Sequence, residues 1–325
     1  MGKDAILITG ANGQIGSVLA KALRSVFGRD QVLTTDIRKP EQETGPFELL
    51  DILDKPRMQQ LIKKYKITQI YHLAAILSAK GESDPQLTWK INMDGFFNIL
   101  ECAREMNLEK VFFPSSIAVF CKETPRQNTP QYTILHPTTV YGISKAASEN
   151  WCQYYFQKYG VDVRSLRYPG IISYESAPGG GTTDYAVEIF HEALNHGYYS
   201  CFLKEDSRLP MIYMPDAIRA TLSLMEAPAN QIKVRTSYNL SAMDFTPKEL
   251  YQAILTHIPD FKIEYNPDFR QQIADSWNES IDDGCARTDW GWKENFDLQA
   301  MTKDMILNLK KNHKGDKSKL IADLS

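Results

Sequence analysis

The stretch Ala5-Ile6-Leu7-Ile8-Thr9-Gly10-Ala11-Asn12-Gly13-Gln14-Ile15-Gly16 carries an apolar run straight into three evenly spaced glycines. This pattern predicts a strand, a tight turn and the first turn of a helix, the arrangement that receives the pyrophosphate of a dinucleotide. Gly10 permits the turn off the strand. Gly13 lets the backbone approach phosphate oxygens with no Cβ in the way, and Gly16 lets the helix pack closely on the sheet. Asn12, Gln14 and Ile15 share that loop. A helix start there offers free N–H groups and a partial positive charge. Glycines also gather in ordinary turns, so the rest of the chain has to agree.

It does so first through an acid. A helix over 17–26 is followed by an apolar run at 31–35 that ends at Asp36. An acid about 20 residues past such glycines accepts hydrogen bonds from the adenosine ribose. A carboxylate there repels a 2′-phosphate, so Asp36 favours NAD over NADP. Arg38 could serve a 2′-phosphate or stand as a solvated surface cation. A third strand ends at Leu49-Leu50-Asp51-Ile52, which places Asp51 and Ile52 beside the adenine.

Helical and strand patterns then alternate. Helices are expected over 56–65, 87–106 and 141–159, and strands over 69–73, 110–113 and 161–166. The alternation predicts an α/β fold, a doubly wound parallel Rossmann sheet with helices on both faces. Ala74-Ala75, Ser115-Ser116 and Pro169-Gly170 would join the glycine loop at the carboxyl edge, where such sheets bind ligands. Beyond Gly170 the alternation loosens. Residues 1–172, completed by 213–240, are expected to form the dinucleotide-binding domain. Residues 173–212 and 241–312 would form a smaller, interleaved α/β substrate lobe, and the Lys-rich 313–325 a mobile tail. Met214-Pro215-Asp216 resembles a cap before a helix over 217–226, and Thr246-Pro247-Lys248-Glu249 has the form of a capping box.

Bulk composition narrows the function classes. The chain has 325 residues, enough for a sizeable core, with 43% hydrophobic and 24% charged residues. A net charge of −3 gives no pull toward nucleic acid or an anionic membrane. Five scattered cysteines without a Cys-x-x-Cys pair fit reduced thiols. The histidines show no metal-ligand spacing, so no metal is expected. No apolar run has transmembrane length, and the first strand starts too near Met1 for a signal or transit peptide. The expected place is the cytoplasm in a bacterium, or the mitochondrial matrix in a eukaryote after removal of a presequence.

The chemistry sits at Tyr141-Gly142-Ile143-Ser144-Lys145. Residues four apart share a helix face, so Tyr141 and Lys145 point to one site. A nearby ammonium is expected to lower the phenol's pKa toward neutrality, and a nicotinamide cation would add to that. Lys145 can also grip the nicotinamide ribose. A hydroxyl should close the site from the preceding strand, and Ser115 and Ser116 both qualify; the sequence does not choose between them.

Gly-x-x-Gly-x-x-Gly, Asp36, Asp51-Ile52, Leu73-Ala74-Ala75, Ser-Ser-x-x-Val-Phe at 115–120 and Tyr-x-x-x-Lys together resemble the extended short-chain dehydrogenase/reductases. The similarity continues into Trp290-Gly291-Trp292 near the C-terminus. It implies a cofactor set that includes Leu73, Ala74, Ala75, Asn92, Tyr168, Pro169 and Ile171. Cys121 departs from the family, which commonly has glycine after Val-Phe. Most members act on sugar nucleotides and carry Arg-x-x-Asn after the sixth strand, whereas this chain has Arg167-Tyr168-Pro169-Gly170. With Gly179-Gly180-Gly181-Thr182-Thr183-Asp184-Tyr185-Ala186, it is more similar to the branch that oxidises a free amino acid. The resemblance implies NAD-dependent oxidation of L-threonine to 2-amino-3-oxobutyrate, the opening step of threonine breakdown toward glycine and acetyl-CoA. It assigns Ser78, Gly180, Thr182 and Thr183 to the substrate's amino-acid end. Asp184 would attract the ammonium or simply cap a helix. A homodimer is expected, because the helices over 87–106 and 141–159 carry extra aromatic residues (Phe96, Phe97, Trp151, Tyr154, Tyr155). The rival readings are a sugar-nucleotide epimerase or dehydratase, with Arg208 and Arg219 as diphosphate anchors, and a non-catalytic NAD-binding regulator.

Overall fold

The computed structural model describes residues 4–42, 44–176 and 181–322. In chain order the first half holds β1 (Ile6–Thr9), α1 (Gln14–Phe27), β2 (Val32–Asp36), β3 (Phe47–Leu49), α2 (Lys55–Tyr65), β4 (Gln69–His72), α3 (Ser78–Gly81), α4 (Pro85–Trp89), α5 (Gly95–Glu105), β5 (Lys110–Ser116), α6 (Val140–Tyr159), β6 (Val163–Tyr168) and β7 (Gly170–Ile172). The second half holds α7 (Tyr185–Asn195), β8 (Tyr198–Cys201), β9 (Leu209–Tyr213), α8 (Met214–Glu226), β10 (Tyr238–Asn239), β11 (Met243–Phe245), α9 (Pro247–Leu255), β12 (Lys262–Tyr265), α10 (Arg270–Asp275), α11 (Gly284–Trp290) and α12 (Leu298–Ala322).

Seven strands form one parallel sheet in the order β10-β6-β5-β4-β1-β2-β3. Side chains along a strand alternate between faces. Accordingly Ile6 and Ile8 pack with Leu19, Leu23 and the residues of α8 on one face. Leu7, Ile70, Val111 and Phe113 pack with Leu61, Ile99 and Cys152 on the other. Both faces are therefore covered, as a parallel sheet requires. β1 pairs with β2 on one side and β4 on the other, so the strand order reverses there and opens a crevice at the carboxyl edge.

A second core gathers around Tyr185, Phe190, Leu209, Phe245, Leu250 and Met305, with Ile172 of β7 among its members. Beside it lie a three-stranded sheet, β11-β9-β7, and a two-stranded one, β12-β8, whereas Ala286, Trp290 and Trp292 pack in the core of the main sheet. The capping box at Thr246 is formed, with Glu249 Oε2 accepting the Thr246 N–H at 2.8 Å.

Four local expectations change. Met214-Pro215-Asp216 is not a cap but the first turn of α8, where the missing proline N–H costs nothing. The helix expected over 87–106 contains a π-helical segment, Lys90–Asp94, between α4 and α5. The third strand stops at Leu49, leaving Asp51 and Ile52 in a turn. The backbone of 313–322 continues α12 rather than trailing as irregular chain; it is proline-free and rich in lysine, a fair helix former. Among the described residues, no helix is long and apolar enough to cross a membrane.

Candidate active site

The glycine loop is shaped by close approach. Gly10 leaves β1 at φ 68°, in the left-handed region. A Cβ there would stand 2.6 Å from the Ala74 nitrogen, so Ala74 and the loop after β4 close directly on the turn. At Gly16 a Cβ would meet the Gly10 carbonyl at 2.5 Å. Gly13 precedes α1 and no side chain caps that helix. A loop that carries no Cβ at Gly10, Gly13 and Gly16, beside an uncapped helix start, fits a pyrophosphate.

Asp36 ends β2 and is half-exposed. Its carboxylate accepts the N–H of Asn12 at 3.1 Å and that of Arg38 at 3.2 Å, while the Asn12 amide donates to the Arg38 carbonyl at 2.7 Å. The acid thus braces the glycine loop and keeps open surface for a ribose. The Arg38 side chain is exposed. Asp51 is exposed as well, whereas the Ile52 side chain turns into the core against Gly95.

The reactive groups meet where β5 ends and α6 begins. Thr139 caps α6 by accepting the Gly142 N–H at 3.1 Å. Gly142 lies so close to the Ala118 carbonyl that no Cβ fits, which seats Tyr141 against the turn following Ser116. The Ser116 hydroxyl accepts the Ala118 N–H at 3.2 Å and stays partly exposed. Ser115 points elsewhere: it is buried and donates to Glu149 at 2.6 Å. Lys145, also buried, donates to the Pro114 carbonyl at 2.6 Å. Its ammonium lies 5.5 Å from the Tyr141 ring centre.

Burial dominates the electrostatics here. It pushes the Tyr141 phenol up to about 12, with the nearby Ser116 hydroxyl pulling the other way. It lowers the Lys145 ammonium to about 7, against the attraction of Cys152 and Glu149. The expected effect of lysine on tyrosine is therefore not present in the protein alone, because desolvation weakens the very charge that was to act. His72, buried between β1 and α5, has its Nδ1 2.8 Å from the Thr9 hydroxyl and is driven down to about 3 by burial and then by Lys145, so it is neutral.

Two residues of the expected cofactor set have side-chain partners inside the protein. Asn92 is buried in the π-helical segment; its amide donates to the Ile76 carbonyl and Ser144, and its oxygen accepts the Ile76 N–H. It secures the loop after β4. The Tyr168 side chain enters the core, its hydroxyl paired with Thr221. Leu73, Ala75 and Ile171 are half-buried near the carboxyl edge, beside Pro169 at the end of β6.

On the substrate side, Ser78 opens α3 and is partly exposed. Glu82, just beyond α3, accepts the Val140 N–H at 2.9 Å and docks this segment onto α6. Thr182 is buried and Thr183 half-buried in a 3-10 turn, with Thr183 packed against Gly170. Asp184 accepts the Gly181 N–H at 2.8 Å and so caps that turn. Gly180 lies outside the described residues. Arg208 is engaged by Asp244 and Glu249, and Arg219 by Asp216, the Lys293 carbonyl and the Trp292 ring. Both cations expected of a diphosphate site are thus committed internally. Sequence reasoning missed Glu149 and Glu82. Glu149 had a signal, since it follows Lys145 by four on the same helix face; Glu82 had none.

A model of the NAD dependent epimerase/dehydratase family matches residues 6–241. Over 306 residues the chain is 50% identical to an uncharacterised epimerase/dehydratase of Staphylococcus saprophyticus, covering 93% of this chain and 95% of that protein. Among solved structures it is similar to the holo form of an L-threonine dehydrogenase from Cupriavidus necator, at 54% identity and TM-score 0.92, over 94% of this chain and 99% of that one. It is also similar to the L-threonine dehydrogenase of Clostridium difficile, at 46% identity and TM-score 0.94, over 96% and 99%.

Proposed function

This chain belongs to the NAD-dependent epimerase/dehydratase family, and we propose that it oxidises L-threonine at its secondary alcohol to 2-amino-3-oxobutyrate. The observation that carries the reading is the grouping of Ser116, Tyr141 and Lys145 beside a glycine cradle. Likeness to two L-threonine dehydrogenases over nearly the whole chain supports the substrate. The internal pairing of Arg208 and Arg219 speaks against a sugar diphosphate.

Gly10, Gly13, Gly16 and the start of α1 with Gln14 and Ile15 hold the pyrophosphate. Asp36 takes the adenosine ribose, and Asp51 with the backbone of Ile52 the adenine. Leu73, Ala74, Ala75, Pro169 and Ile171 line the nicotinamide half. NAD, when bound, accepts the hydride from the substrate carbon. Tyr141, as phenolate, takes the hydroxyl proton. Ser116 orients the alcohol oxygen against Tyr141. Lys145 supplies positive charge to the phenolate and grips the nicotinamide ribose. Ser78, Thr182 and Thr183 hold the amino and carboxylate end. Ser115 and Asn92 keep the strand end and the adjoining loop in place.

Pairing of two copies through α5 and α6 gives the homodimer. Phe97 and Trp151 pack at 4.8 Å and Trp151 and Tyr154 at 5.2 Å, and this stripe ends at Tyr154 and Tyr159, both exposed.

The test is NADH formation from L-threonine by the parent and by Tyr141→Phe. The variant keeps the ring and should retain fold and NAD affinity while turnover drops ~10²–10⁴-fold. Near-normal turnover in a folded, NAD-binding Tyr141→Phe would remove Tyr141 from the reaction.

A further inference from the structure

Behind Lys145 lies a buried ion pair that takes no part in the steps above. Glu149 and Arg167 are 1% and 3% exposed. The guanidinium grips the carboxylate with both arms, at 2.9 and 2.7 Å. The Ser115 hydroxyl donates to the same carboxylate at 2.6 Å. Arg167 donates further to the Gln131 carbonyl and the Asn239 side chain, both at 3.0 Å. Ser115 and Asn239 are the register partners of Arg167 on β5 and β10. One network therefore joins three strands, the 131 loop and the catalytic helix.

Stability alone is a poor reason for such a pair. Desolvating two charges consumes most of their attraction, and well-packed apolar residues often do as well or better. Its location suggests another role. Glu149 lies one turn beyond Lys145 on the same face of α6. Lys145 has few other charged neighbours. On α6 it is near Tyr141 and Cys152, and β5 offers the Pro114 carbonyl and, at 4.4 Å, the Phe113 ring. β4 brings neutral His72, β6 brings Arg167 already engaged by Glu149, and the π-helical segment brings Asn92 and Met93. Glu82 and Glu101 meet α6 at its ends, near Val140 and Tyr155.

We propose that Glu149 is a positioning residue for the reaction: held by Arg167 and Ser115, its carboxylate keeps the Lys145 side chain charged and in place beside Tyr141. This rests on the role given to Lys145 above. The balance of forces agrees, since burial pulls Lys145 down to about 7 while Cys152 and Glu149 oppose that pull.

Two variants separate this role from a structural one. Glu149→Gln keeps the shape and a hydrogen-bonding oxygen. The double variant Glu149→Gln/Arg167→Met removes both charges and so leaves no unpaired guanidinium buried. NAD affinity and turnover of L-threonine are measured from neutral to alkaline pH, with melting temperature as the check on folding and Lys145→Met as the baseline lacking the ammonium. In the parent, NAD affinity should fall as Lys145 loses its proton, and in Lys145→Met that dependence should vanish. In Glu149→Gln, where Arg167 is left unpaired and repels the ammonium, the fall should move furthest down in pH, and in the double variant it should occur about one pH unit lower, which is roughly tenfold weaker binding at a pH above the midpoint. An unmoved midpoint in the folded double variant overturns the inference while leaving the threonine activity standing. A parent without threonine turnover overturns the reading beneath it instead.

Discussion

Ser115 and Ser116 are adjacent in sequence and separate in chemistry. Side chains alternate along a strand, and Ser115 follows Val111 and Phe113 onto the face that α6 covers, where Glu149 takes its hydroxyl. Ser116 ends the strand and stays beside Tyr141. The sequence located both hydroxyls at the strand end. The choice depended on Glu149, whose place four residues past Lys145 signals its helix face but not its pairing with Ser115 across the sheet. Ser116→Ala should lower kcat/KM for L-threonine by roughly 10²-fold, as expected for a lost hydrogen-bond donor at a reacting oxygen. Ser115→Ala should cost about 1 kcal/mol of stability with a smaller loss of turnover. Steady-state kinetics beside thermal melts would show this order, and the reverse order would contradict the assignment. The phenol's upward shift also fixes a sign. Burial holds the proton on Tyr141 at neutral pH, and oxidation needs that proton gone. Turnover should therefore rise from neutral toward alkaline pH; a flat profile would mean that another group accepts the proton.

At the scale of elements, the glycine loop was the most legible part, because each glycine answers a single steric demand. Its consequence can be tested at Gly10. Gly10→Ala forces a Cβ into the left-handed region, at about 1–2 kcal/mol, and against the Ala74 nitrogen at 2.6 Å. Titration should show NAD affinity at least ~10-fold weaker, since the turn and the loop after β4 must both shift. Gly160→Ala is the control: its φ is 72°, nothing lies within 4 Å of the added Cβ, and it ends α6 far from the loop. It should lose stability but not NAD affinity. The short strands outside the seven-stranded sheet were the least legible. β7 and β11 have three residues each, too few for a period, and both gain partners only from the distant β9. The start of α8 was misjudged because Pro215 suits either the first turn of a helix or the residues before one. The π-helical segment, Lys90–Asp94, left no signal of its own within the helical spacing around it, and Asn92 in it holds the Ile76 backbone.

At the scale of the whole molecule, the parallel sheet was readable from the alternation of apolar runs and helical spacing. A seven-stranded sheet in this order puts the glycine loop, Ser116 and Tyr141 at one carboxyl edge. Of the five aromatic residues expected to exceed the core on α5 and α6, Phe96 and Tyr155 are buried within it, which leaves Phe97, Trp151 and Tyr154 for a pairing face. Light scattering at micromolar concentration should give twice the chain mass of 37.0 kDa. Replacing Tyr154 and Tyr159 with aspartate should shift the population to monomer. A parent that is monomeric throughout would contradict the pairing. The central claim concerns substrate, and it is tested most directly by following NADH formation with L-threonine, L-serine, D-threonine and UDP-glucose in parallel. Rapid NAD reduction with L-threonine, weaker with L-serine and absent with D-threonine and UDP-glucose, is the predicted result. Turnover of UDP-glucose with none of L-threonine would contradict it.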